Sequence, residues 1–244
     1  MDTAKVIGRA ANKCGGVVVE ELLGHSPPFP IADFWFEEYG IVAELKVMEQ
    51  DMFSNEDFIQ QTTDLYRTWV DRGFDVPIVL GSRPVSTKDI PPECSIELLG
   101  LIKAKIKNAF LRKANKQIRS TKKKLGKPDS FGLLLLGNDG SMGFHPSLIA
   151  NLLHHSLANQ YRSIEGVIYF TGNCKAKFPG FLEPAYYWAN MAVENRRPLC
   201  SDFEKRFRET WQLEVSAATK EWVMPVDLPR NDFDYLDQVK LSRS

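Results

Sequence analysis

Alternation of apolar and charged residues is clearest in Ala43-Glu44-Leu45-Lys46-Val47, which continues the apolar start Ile41-Val42. Strand side chains alternate between faces, so Ile41, Ala43, Leu45 and Val47 share an apolar face and Val42, Glu44 and Lys46 share the other. Upstream, Ile31–Phe36 reads as a partner strand, and Glu38-Tyr39-Gly40 as the turn of a β-hairpin closed by Ile41–Met48. Residues 4–13 form a short helix ended by Gly15-Gly16, and Val17–Leu23 forms a further apolar helix or strand. The Pro-rich link Ser26-Pro27-Pro28-Phe29-Pro30 excludes regular structure. Ser54 is the expected N-cap, with Asp57 three residues on, of a helix running to about Arg72. Residues 75–95 are expected to be an irregular connection.

Helical spacing returns over 95–124, with Leu98, Leu99, Ile102, Ile106, Phe110, Ala114, Ile118 and Thr121 on one stripe, until Gly126 and Pro128 stop it. Phe131–Leu136 is a buried strand, Asn138-Asp139-Gly140 a turn needing positive φ, Pro146–Tyr161 a helix and Gly166–Thr171 another buried strand. A last helix spans Asp202 to about Gln212. The order is helix, hairpin, helix, strand, helix, strand, which predicts an α/β fold with a mixed sheet flanked by helices. The expected organisation is a core over 1–175 with a helical or irregular insertion around 75–102, and a C-terminal extension, 176–244, packed on that core.

Composition adds little by itself. In 244 residues, 43% are hydrophobic and 25% charged, so a packed core is expected and wholesale disorder is not. No apolar run is long enough to span a membrane, and the N-terminus lacks a signal-peptide apolar region. The four cysteines form no CxxC pair. These features predict a cytoplasmic protein with no membrane partner. The distribution of charge matters more than its zero sum. Residues 103–127 hold 11 Lys or Arg and no Asp or Glu, whereas Glu20–Asp64 is acid-rich. Cations that grip phosphates beside carboxylates that grip a metal would suit phosphodiester chemistry; the plainer reading is a solvated helix face.

The hairpin supplies the carboxylates. A turn at Glu38-Tyr39 places Asp33 directly across from Glu44, with carbons ~5 Å apart. Two carboxylates so close repel unless a divalent cation lies between them, and hard oxygen ligands suit Mg²⁺ or Mn²⁺. Asp33, Glu44 and the carbonyl of Leu45 are the expected metal ligands. Such an ion can polarise a phosphoryl oxygen and acidify a bound water. Lys46, on the face of Glu44, can orient that water or stabilise charge growing on phosphorus. The competing reading is a salt bridge on a solvated hairpin face, with Glu44 paired to Lys46 or a neighbour.

Asp33, ten intervening residues and Glu44-Leu45-Lys46 on a hairpin resemble the PD-(D/E)XK, or restriction-endonuclease-like, nuclease superfamily. The order of elements over residues 17–171 is similar to that superfamily's shared core. Here Ile31-Ala32 precede Asp33, with Pro30 nearby in place of an adjoining proline. The resemblance implies a Mg²⁺-dependent hydrolase of phosphodiester bonds in nucleic acid, DNA in preference to RNA. It implies that Gln117, on the helix before the apolar strand, joins the catalytic set. An acidic residue of the leading helix, Glu20 or Glu21, matches by position only. Arg112, Lys113, Lys116, Arg119 and Lys122 would line a groove for backbone phosphates. A non-catalytic nucleic-acid-binding module, or a protein-interaction module on the same fold, is the alternative.

Other residues carry less. His154 and His155 are adjacent in a helix and diverge by about 100°, so they cannot chelate one ion as an i, i+4 pair could. His145 and His25 sit at a helix start and in the Pro-rich link. The aromatics Phe178, Phe181, Tyr186, Tyr187 and Trp188 suit core packing better than base stacking. No GxxxxGK[ST], GxSxG or GxGxxG pattern occurs.

Overall fold

The computed structural model describes residues 1–24, 28–77, 89–143, 146–179, 182–193, 195–223 and 240–243. His25 and the first part of the Pro-rich link (25–27), the middle of the expected irregular connection (78–88), His145, Phe181 and the tail 224–239 lie outside the described residues. In chain order the elements are α1 (Thr3–Lys13), β1 (Gly16–Val18), α2 (Val19–Leu23), β2 (Phe34–Phe36), β3 (Ile41–Met48), α3 (Glu56–Asp71), α4 (Pro92–Ile106) and α5 (Arg112–Lys124). They are followed by β4 (Phe131–Asn138), α6 (Pro146–Asn159), β5 (Gly166–Thr171), β6 (Cys174–Lys177), β7 (Trp188–Ala192), α7 (Ser201–Thr219) and β8 (Lys240–Arg243).

The chain is α/β, with an open six-stranded mixed sheet in the order β1-β2-β3-β4-β5-β7. β1, β2 and β3 form an antiparallel meander; β3, β4 and β5 run parallel; β7 returns antiparallel on β5. Parallel neighbours need a crossover, and α5 supplies the one between β3 and β4. Alternation in β3 divides the core. Ile41 and Ala43 pack with Leu133, Leu135, Ile168 and Phe170 under α1 and α7, while Val42 and Met48 pack with Leu134, Leu136, Val167 and Tyr169 under α4, α5 and α6. β4 and β5 are buried along their whole length, as central parallel strands covered on both faces must be.

Several expected boundaries move. The first hairpin strand begins at Phe34 and not Ile31, because residues 30–32 leave the sheet for α5. Asn55 caps α3 instead of Ser54: its side chain accepts the Phe58 N–H, and Ser54 closes a preceding 3₁₀ turn. The long helix starts at Pro92, where proline suits the first turn. It contains a π-helical turn, Lys107–Leu111, which adds one residue to the spacing. Ile102 and Ile106 are therefore followed inward by Leu111, wholly buried, and Phe110 is only partly covered. Gly140 is required by closeness, not by positive φ: a Cβ there would stand 2.4 Å from the Glu49 carbonyl oxygen.

The segment after residue 176 contributes to the same sheet and core. β7 forms one edge, and Phe203, Phe207, Trp211 and Val215 of α7 fill the layer beneath Phe36, Phe170 and Trp188. Tyr186, Tyr187, Trp188 and Phe178 are buried, with Phe178 stacked on Tyr187 at 5.8 Å between centroids. The cysteines are free thiols, three buried and Cys200 exposed. Among the described residues, no helix is long and apolar enough to cross a membrane.

Candidate active site

The hairpin register places the carboxylates. Phe34 pairs with Ala43, Trp35 with Val42 and Phe36 with Ile41, so one step further Asp33 stands opposite Glu44. The Gly40 carbonyl accepts from Phe131, which assigns the main-chain groups of even-numbered β3 residues to β4 and those of odd-numbered residues to the β2 side. Leu45 is odd-numbered and lies beyond the start of β2. Its N–H is taken by the Asp33 carboxylate, Oδ2, at 2.7 Å. Its carbonyl is oriented to the same side of β3, and the Asp33 and Glu44 side chains interact where the ladder ends. The Asp33 carbonyl accepts the Val19 N–H at 2.9 Å, which ties the start of α2 to this point.

Glu44 is 1% exposed, whereas Asp33 is half-buried and the Lys46 side chain is 21% exposed, so of the three Glu44 is the one withdrawn from solvent. Lys46 Nζ meets Glu44 Oε1 at 2.5 Å. The other oxygen, Oε2, is buried and receives no hydrogen bond. A buried carboxylate oxygen without a donor costs desolvation energy, which a proton shared between the Glu44 and Asp33 side chains, or a bound cation, would offset. Burial pushes the Glu44 carboxyl up to about 8, the Asp33 charge adds to that, and Lys46 opposes it. Asp33 is also raised by burial, against the Leu45 N–H and Lys46. The pair therefore holds fewer negative charges at neutral pH than two ordinary carboxylates unless a cation joins it.

These features suit a divalent cation: hard oxygen donors, coupled carboxylates and a buried oxygen lacking a donor. Among the described residues, no group of three or more His, Cys, Asp or Glu side chains could hold a metal, so side chains supply two donors and the main chain of Leu45 any third from this set. Glu20 and Glu21 stand exposed on α2. His154 and His155 are exposed on α6.

α5 runs antiparallel to β3, and Ile118 lies against Gly132, the residue paired with Val42. The helical turns before Ile118 therefore lie along the Glu44–Lys46 half of the strand. Arg112, Lys113 and Lys116 are exposed on these turns and Arg119 just after Ile118, all on the outer side of the helix opposite its buried row, and among the described residues none of the four forms an ion pair. Lys122 does not belong with them. It is 7% exposed and turned inward to Glu165 at 3.4 Å, because position 122 follows the buried row of Ile118 and Thr121. Gln117 also differs from expectation: its Nε2 donates to the Ile31 carbonyl at 2.9 Å, two residues before Asp33. Thr121, expected only as core, accepts the Ala32 N–H through Oγ1 at 2.8 Å. No local signal announces these bonds, whose partners are 86 and 89 residues apart.

Comparison with protein-family models, curated proteins and solved structures finds no match for this chain.

Proposed function

We propose that this chain is a metal-dependent nuclease, hydrolysing phosphodiester bonds of nucleic acid, DNA in preference to RNA, on a restriction-endonuclease-like core. The observation that carries the reading is the Asp33–Glu44 pair at the open end of the hairpin ladder, with Lys46 on the same face and Glu44 Oε2 lacking a donor. Asp33, Glu44 and the Leu45 carbonyl would hold Mg²⁺ or Mn²⁺, which would supply Lewis-acid polarisation of a phosphoryl oxygen. The chain's own residues do the rest. Lys46, partly exposed and resting on Glu44, would turn its ammonium to the phosphate and stabilise charge developing in the transition state. Arg112, Lys113, Lys116 and Arg119 grip the sugar–phosphate backbone; such contacts set position without reading bases.

The test is incubation of the purified chain with single- and double-stranded DNA and RNA, in Mg²⁺, Mn²⁺ or EDTA. Strand cleavage that needs metal and is lost in Lys46→Ala is the expected result. Absence of cleavage on all four substrates with both metals overturns the catalytic reading. The short Lys46–Glu44 ion pair favours a second reading, a nucleic-acid-binding or protein-interaction module on the same fold. Its signature in the same assay is binding, or none, without cleavage.

A further inference from the structure

Asp33 stands one residue before β2 begins, so no ladder pair fixes it. Its own bonds to the Val19 and Leu45 N–H groups hold it, and the path of residues 29–32 that leads to it is fastened to α5 at four successive residues. Lys124 Nζ lies 4.5 Å over the Phe29 ring, and the Ser120 hydroxyl donates to the Pro30 carbonyl. Gln117 Nε2 donates to the Ile31 carbonyl, and Thr121 Oγ1 accepts the Ala32 N–H. Positions 117, 120, 121 and 124 follow one another on a single helical row. The row matches the strap residue for residue.

Thr121 is unlike the threonines of α3. Thr62, Thr63 and Thr68 donate to the carbonyl four residues back in their own helix, the ordinary arrangement for a helical hydroxyl. Thr121 is wholly buried and accepts from a neighbouring segment whose Ala32 is itself buried. Without that acceptor a buried N–H is left unpaired next to Asp33.

We infer that Thr121 and Gln117 are positioning residues that hold Asp33 against Glu44 and so set the affinity of the pair for a divalent cation. The inference rests on the metal-dependent reading above. Groups that orient metal ligands from behind typically contribute about 10–100-fold in metal affinity. Thr121→Val and Gln117→Leu should each weaken Mn²⁺ binding by about 10-fold or more, and Thr121→Ser, which keeps the hydroxyl, should bind as wild type does.

Mn²⁺ titrated calorimetrically into the metal-free full chain measures this directly, with thermal melts and duplex-DNA binding in EDTA recorded for each variant. Duplex binding in EDTA should stay unchanged, because the exposed cations of α5 are retained. A wild-type chain that binds no Mn²⁺ sinks the metal-dependent reading and this inference with it. Wild-type binding with unaltered affinity in both Thr121→Val and Gln117→Leu overturns the positioning role alone. Equal losses in Thr121→Ser and Thr121→Val overturn it too, since the hydroxyl acceptor is then irrelevant. Should Thr121→Val fail to fold, Gln117→Leu, at a half-buried position, decides the matter.

Discussion

α5 and α7 cover opposite faces of one sheet and treat their charges in opposite ways. On α7, Glu214 is 5% exposed and takes Arg9 and Lys13 of α1, each at 2.5 Å, while Arg206 reaches Glu38 and the Tyr39 hydroxyl. Those charges fasten helix to helix and hairpin to helix. On α5, Lys122 alone among the expected phosphate-binding cations turns inside, to Glu165; Arg112, Lys113, Lys116 and Arg119 stay at the surface, with no ion pair among the described residues. The strand face beneath each helix shows the same division. Under α1 and α7 it is apolar, and under α5 it carries Glu44 and Lys46. One face is tied by ion pairs between elements, and the other carries the Glu44–Lys46 pair beneath a helix whose outer side is lined with exposed cations.

The largest effect that would break this contrast belongs to Lys46→Ala. If the α5 face is catalytic, cleavage should fall by at least about 10²–10³-fold, the cost of removing one preorganised stabiliser of transition-state charge. The rise in melting temperature on adding Mn²⁺ should remain, since the proposed ligands Asp33, Glu44 and the Leu45 carbonyl are retained. Unchanged cleavage by that variant would remove Lys46 from the mechanism.

Next in size is the response of the metal-free protein to pH. Glu44 has a raised folded pKa, about 8 against an ordinary 4.5, so the folded state holds a proton that the unfolded state gives up between those values. Stability of the metal-free chain should therefore fall as pH rises from about 4.5 through about 8. Glu44→Gln stays neutral and should flatten that slope, with a gain of a few kcal/mol at the alkaline end and little change in acid. Denaturant melts of both proteins in EDTA across this range measure it. Parallel curves would mean that Glu44 titrates normally and is not held against Asp33.

A smaller effect is expected from Lys113→Ala, Lys116→Ala and Arg119→Ala combined. Duplex binding should weaken at every sequence, and the slope of log affinity against log salt should become shallower by about 3. The same triple variant should keep its folding stability within about 0.5 kcal/mol. A salt slope equal to that of wild type would reduce the exposed row to a solvated helix face.

The smallest effect tests the opposite face. Glu214→Gln should cost roughly 1 kcal/mol, because both partners remain half-solvated, and should leave nucleic-acid binding unchanged. The Glu214 carboxyl is held below its ordinary range, first by Lys13 and then by Arg9. Its stabilisation is therefore complete above pH 4.5 and disappears as pH falls through the lower folded value. Equal stability of variant and wild type at neutral pH would show that this ion pair does not fasten the helices.

Where a pattern is local, the chain displays it openly. The period-two run gives β3 its boundaries, Ile41–Met48, and the short turn gives the register that sets Asp33 opposite Glu44. Both follow from side chains alternating across a pleated strand and from a loop too short to allow slippage. The unbroken apolar runs likewise mark β4 and β5 as strands covered on both faces. β7 was not legible: Trp188-Ala189-Asn190-Met191-Ala192 has no alternation, and becomes a strand because β5 offers it an edge. The π turn at Lys107–Leu111 was hidden for a related reason, since packing against the sheet selects Leu111 over Phe110.

The same boundary runs through the candidate site. That Asp33, Glu44, Leu45 and Lys46 come together was legible in sequence alone, because the geometry that unites them spans one hairpin. Tertiary structure decided the burial of Glu44, the inward turn of Lys122, and the bonds from Gln117 and Thr121 that hold the approach to Asp33. Those depend on how a helix formed nearly ninety residues later crosses back over the hairpin. Local alternation is written in neighbouring side chains; a contact between distant segments exists only once the packed sheet has brought them together.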